Sequence, residues 1–193
     1  DLMRRVIYGM FVVGAASTAF LPGAHAEEPL QQKAAELARE FVGRLKPQLK
    51  QAMADGGPTH AVEVCASEAP KIAESLSAES GWEVRRVSLR QRNASRATPD
   101  RWERTVLQQF DQRQLAGEKP SDLHFGEFTG ESYRYMQAQG VEGVCLVCHG
   151  ESVAAAIATT LEKYDPDDRA TGYSMGQVRG AISLQKPVNR EQR

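Results

Sequence analysis

The stretch Cys145-Leu146-Val147-Cys148-His149 sets two thiols three residues apart, with an imidazole directly behind the second. No other feature of the chain constrains its fold as tightly. In one helical turn the two sulfurs lie on one side and the histidine swings in beside them, so the surrounding chain has to leave room for what they hold. This is the pattern of covalent haem c attachment, in which the thiols form thioethers with the haem vinyl groups and the histidine ligates the iron. Competing readings explain less. A thioredoxin-like pair wants a strand before it, a helix after it and no ligand-like histidine, and a structural zinc site needs four ligands where this chain has no second C-x-x-C. A plain Cys145–Cys148 disulfide gives His149 no purpose. The expected cofactor is one haem c, bound through Cys145 and Cys148 with His149 as axial ligand.

The first residues suit that chemistry. Arg4 and Arg5 precede the apolar run from Val6 to Leu21, which is followed by Pro22-Gly23-Ala24-His25-Ala26. That order reads as a secretory signal peptide over residues 1–26, cleaved after Ala26. The run is short and is broken by Gly9, Gly14 and Pro22, so no membrane attachment is expected after cleavage. A periplasmic location follows, and it places the thiols in an oxidising compartment. Residues 27–193 contain no long linker, repeat or low-complexity stretch and read as one domain. The net charge of −1 points to no nucleic acid or anionic lipid as partner.

Leu30, Ala34, Leu37, Ala38, Phe41, Val42, Leu45, Leu49 and Met53 recur at three- and four-residue steps, the stripe of an amphipathic helix. Pro47 is expected to kink it and Gly56-Gly57-Pro58 to end it. A second helix is expected over 61–76, with Pro70 a kink or restart. Residues 81–90 read as a strand whose apolar phase changes between Val84 and Val87, which implies a bulge or burial on both faces. A helix over 98–110 takes Thr98 as N-cap and Pro99 at its first position, with Trp102 and Phe110 in the core. Strands near 123–128 and 133–139, a helix over 151–164 and a half-buried alternating strand over 176–187 complete an α+β class. A cytochrome c′-type four-helix bundle is the architectural alternative, although its chain would end soon after the C-x-x-C-H motif.

A second axial ligand is the open question. His60, His124, Met53, Met136, Met175 and Cys65 are the candidates. With both motif thiols spent on haem, Cys65 has no partner in the chain. On a helix it shares a face with Ala61, Ala69 and Ile72, small enough for a flat macrocycle to approach, yet a small core residue has the same signature. Residue spacing alone leaves Cys65, His60 and Met175 in contention. Haem also brings two propionates, and Arg85, Arg86, Arg90, Arg92, Arg96 and Arg179 are available to clamp carboxylates. Gly180 either makes room for a flat group or marks a bulge. Asp165, Asp167 and Asp168 lack the spacing of a calcium loop and read as a solvated turn. His124 is given no role.

Taken together, "AVEVCASEAPKIAES" (61–75), "VRRVSLRQRNASRATPDRWE" (84–103), "CLVCHG" (145–150) and "GYSMGQVRGAISL" (172–184) resemble the c-type haem family proteins with a PAS-like fold, over nearly the whole of 27–193. The resemblance implies a PAS-like antiparallel sheet flanked by helices, and iron held by the motif histidine and a cysteine on an N-terminal helix, here His149 and Cys65. It singles out Arg92 and Arg179 for the propionates and Tyr173 for the pocket, because all three lie in the resembling segments. The family also occurs as the extracytoplasmic sensor part of signalling proteins.

Thiolate ligation stabilises ferric iron and gives a low potential, and reduction weakens the iron–sulfur bond. Such a site is bistable. The expected function is a redox-responsive or small-ligand sensing module, with a diatomic gas as ligand of the reduced state and a separate redox or signalling protein as partner. A low-potential electron carrier is the alternative. An enzyme such as a peroxidase ranks last, because the sequence offers no distinct distal acid–base pair.

Overall fold

The structure, a computed structural model, describes residues 23–189. The expected signal segment therefore lies outside the described residues over 1–22, and the chain is already helical from Gly23.

Helix α1 spans Gly23–Ser80 and leaves helical geometry only at Gly57, where φ is 73° and ψ −166°. That combination is open essentially to glycine alone, so Gly56-Gly57-Pro58, expected to end the helix, interrupts it at a kink from which a second helical half continues. Pro47, expected to kink the chain, and Pro70, expected as a kink or a restart, both sit inside the halves without breaking them. A proline deprives the ladder of one N–H, and packing along the rest of the helix outweighs that loss. The apolar stripe is buried as read: Ala34, Leu37, Ala38, Phe41 and Leu45 enter one core with Ala69, Ile72 and Leu76 of the second half.

Four strands form one antiparallel sheet in the order β1-β4-β3-β2. They are β1 (Glu83–Val87), β2 (His124–Thr129), β3 (Ser132–Gly140) and β4 (Val178–Pro187). Helix α1 covers one face of the sheet and α3 (Arg101–Leu115) the other. This double cover explains the phase change in β1. Val84 packs with the α1 core and Val87 with the α3 core, so β1 is buried on both faces and needs no bulge. It also corrects the half-buried reading of β4, in which Val178 and Gly180 through Leu184 are all buried.

The bulge lies instead in β4. Gln139 pairs with Gly180 but Gly140 with Val178, leaving Arg179 as the extra residue. One inserted residue reverses side-chain parity, so Val178 joins Ala181 in the α3 core while Ile182 and Leu184 face α1. Gly180 is required because a Cβ there would come 2.4 Å from the Val87 carbonyl oxygen.

Thr98 does not cap α3. It ends the short α2 (Ala94–Ala97), and Asp100 is the N-cap, bonding the Glu103 N–H while the Glu103 carboxylate takes the Asp100 N–H. Asp100 has Glu103 three residues on to complete the reciprocal box, whereas Thr98 has Arg101 at that spacing. Phe110 is core, whereas Trp102 is only partly buried and donates from Nε1 to Glu127 Oε1 at 2.6 Å. Two further helices follow β3: α4 (Leu146–His149) and α5 (Ala155–Tyr164), which begins four residues later than expected and packs on the second half of α1. The α+β class holds, and the sheet excludes the four-helix bundle. No described helix is long and apolar enough to cross a membrane.

Candidate functional site

The thiol motif forms a 3-10 turn (Gly143–Cys145) that runs directly into α4, so Cys145, Cys148 and His149 occupy consecutive turns of one short coil. All three cysteines are free thiols, which leaves the disulfide reading without support. Cys148 packs against Val62, Ile157 and Leu161, and burial pushes its thiol pKa up. Cys145 packs on the other side against Val141, Ala170 and Tyr173. Gly150 ends α4, where a Cβ would come 2.5 Å from the Leu146 carbonyl oxygen. The Gly172 N–H donates to Gly150 O and the Tyr173 N–H to His149 O, pinning the end of the motif to the segment before β4.

His149 is oriented by its neighbours. Its Nδ1 lies 2.7 Å from the Ala170 carbonyl oxygen and 3.2 Å from Arg179 Nε. Nδ1 cannot donate to the first and accept from the second. The shorter contact and the carbonyl acceptor assign the proton to Nδ1, which leaves the Nε2 lone pair for a ligand. Burial first, then the cations Arg179 and Arg92, hold the imidazole pKa down at about 2, so the ring is neutral. Tyr173, 4% exposed, meets the ring edge-on at 6.3 Å and carries the Arg90 guanidinium 3.7 Å above its own ring centre.

His149 opens on a cavity of about 350 Å³, within the size range of cofactor sites. The second half of α1 contributes Val62, Cys65, Ala66, Ala69, Pro70 and Ala73; β1, the turn after it, α2, β4, Gln139 of β3 and Asp165 supply the remaining walls. Of the six candidates for a second axial ligand, only Cys65 lines it. Met136 is buried in the α3 core, Met175 is 63% exposed, and His60 lies within 3.5 Å of Glu63 Oε2 rather than facing the cavity. His124 is exposed and stacks on Tyr135.

The arginines divide by partner. Arg92 Nη2 donates to Cys148 O at 2.5 Å, and its Nε is 3.2 Å from Asp168 Oδ2. Arg179, aimed by the bulge, donates from Nη1 to Ser88 Oγ and Arg90 O, and burial lowers its pKa to about 10. Of the aspartate turn only Asp167 is exposed as expected. Asp165 is buried and accepts from Asn93 Nδ2, while Asp168 takes the Ala170 N–H whose own carbonyl receives His149. Sequence reasoning missed Ser88, Asp168 and Ala170 as supports of the site. The Asp168-to-Ala170 side-chain turn was the one local signal available.

A protein-family model described as Tll0287-like matches residues 23–187. Among solved structures, the crystal structure of the cyanobacterial heme-protein Tll0287 is similar, with 29% identity and a TM-score of 0.60 over 83% of this chain and 95% of that one. No curated protein matches the chain.

Proposed function

The chain belongs to the Tll0287-like family, and from that premise we propose that it is a haem protein: a PAS-like domain, exported by the 1–26 signal peptide to the periplasm as residues 27–193, that carries one haem c and responds to redox state or to a small ligand. One observation carries the reading. His149 and Cys65, far apart in sequence, line the same cavity, and none of the other ligand candidates does.

The residues present fit the group. A neutral imidazole with Nδ1 bonded and Nε2 open is the form that ligates iron. Cys65 offers a sulfur donor from a wall of alanines, and the two motif thiols sit on the short coil that carries His149. Lining arginines suit the two propionates, with Arg92 and Arg179 nearest the motif. A bound haem would supply a one-electron ferric/ferrous couple and, where its iron had an open coordination position, a site for a diatomic ligand. The protein's part is to orient His149 through Ala170, to present Cys65 to the same cavity, and to hold the motif turn with Arg92 and Asp168. An antiparallel sheet with its first and last strands adjacent supports the PAS-like description.

The test is protein co-expressed with the haem c maturation machinery. Haem that stays with the polypeptide after acid–acetone extraction, and is lost in Cys145→Ala/Cys148→Ala, is the expected result. Cys65→Ala should abolish a thiolate-type low-spin ferric paramagnetic resonance signal. Carbon monoxide binding to the reduced wild type separates sensor from carrier: a six-coordinate ferrous form that refuses the gas would make low-potential electron transfer the function.

A further inference from the structure

Five arginines line the cavity, and three of them meet carboxylates: Arg85 with Glu103 at 3.7 Å, Arg92 with Asp168 at 3.2 Å, Arg96 with Glu74 at 3.0 Å. Arg179 spends its donors on Ser88 and the Arg90 carbonyl. Arg86 is different. Its guanidinium sits over the edge of the Phe41 ring, 6.0 Å from the centre, and its polar neighbour is Cys65 Sγ, 4.0 Å from Nη1.

That placement is set by the sheet. Arg86 pairs with Ile182 in the β1–β4 ladder and projects to the same face as Val84, toward α1. Arg85, one residue earlier, goes to the opposite face and to Glu103. A guanidinium has five N–H donors and keeps its proton, so one held in a partly buried cavity whose hydrogen-bond acceptor among the described residues is a single sulfur is arranged for an anion at that sulfur.

We propose that Arg86 is a positioning residue for Cys65: its N–H groups donate to the sulfur, hold it as an anionic donor toward the iron, and set both the strength of that bond and the redox potential. The proposal rests on the reading of His149 and Cys65 as the axial pair. Donation to a thiolate draws electron density away from the sulfur, and a cation beside the site favours the state with one more electron. Both effects raise the potential, so removing Arg86 lowers it.

The experiment compares haem-loaded wild type, Arg86→Gln, Arg86→Lys and Cys65→Ala, normalised to haem content, by ferric paramagnetic resonance and spectroelectrochemical titration. The expected result is a negative shift of the midpoint potential in Arg86→Gln together with displaced g-values of the thiolate-type signal, and partial recovery of both in Arg86→Lys. Unchanged g-values and potential overturn the proposal. A lowered potential with unchanged g-values also overturns it, assigning Arg86 to a propionate. Survival of the thiolate-type signal in Cys65→Ala would instead remove the ligand reading beneath it, an outcome distinct from an Arg86 variant that fails to move a signal Cys65 is seen to produce.

Discussion

Arg92 holds the thiol turn from outside. Its guanidinium joins the Cys148 carbonyl to Asp168, and Asp168 fixes the Ala170 peptide whose carbonyl receives His149 Nδ1–H. Four groups in series thus set the angle of one imidazole. Arg92→Ala leaves the Cys148 carbonyl and a mostly buried carboxylate without their partner, a change worth about 1–3 kcal/mol. In a chain of this size each kcal/mol lowers the melting temperature by about 2–4 °C. A thermal melt followed by far-ultraviolet circular dichroism reads the drop, and an unaltered melt would show that the clamp contributes nothing to stability. Arg92 was legible in the sequence as a cation close to the motif. Its partner was not, because Asp168 sits in a turn whose composition reads as solvent-facing and whose burial depends on where α2 and β1 happen to pack.

Secondary-structure elements meet the cavity through two backbone irregularities, the break at Gly57 and the bulge at Arg179. The first sets the direction in which the Cys65-bearing half of α1 leaves the first half. A Cβ at position 57 has open space around it, so Gly57→Ala tests backbone conformation rather than crowding. Its φ and ψ lie in a region costing non-glycine residues about 1–3 kcal/mol. The expected outcome is a loss of that size in chemical denaturation, and full stability in the variant would mean that the hinge is not held in this conformation. The break was readable from Gly-Gly-Pro, and a bulge was one of the two readings open for Gly180, but which neighbour it displaced was not readable. Alternation in residues 176–187 looks regular until the pairing with β3 shows that Arg179 has no opposite number.

Two large phenols sit at the centre of the molecule, between the sheet and α1. Tyr133 and Tyr135 are 0% and 1% exposed, and the Tyr133 hydroxyl has no hydrogen-bond partner among the described residues. Burial raises the Tyr135 pKa to about 12 and that of Tyr133 further. An unfolded tyrosine ionises near ~10, so below that pH both states are protonated and the contribution is fully present. As pH rises, the unfolded chain loses its protons first, and stability falls from pH ~10 through the folded values. Urea unfolding at stepped alkaline pH should show this decline, and a Tyr133→Phe/Tyr135→Phe variant should flatten it. An equal slope in that variant would place the alkaline sensitivity elsewhere. By itself the sequence determined what short-range periodicity and chemistry dictate: the amphipathic stripe of α1, the strands, the α+β class, and a C-x-x-C-H motif that gathers two thiols and an imidazole on one short coil. Only the tertiary structure decided that Cys65 and not His60 or Met175 shares a cavity with His149, that Arg179 is turned by a bulge, and that Arg86 reaches a sulfur. Those outcomes depend on strand register and on helix packing between residues distant in the chain, and no local pattern encodes either.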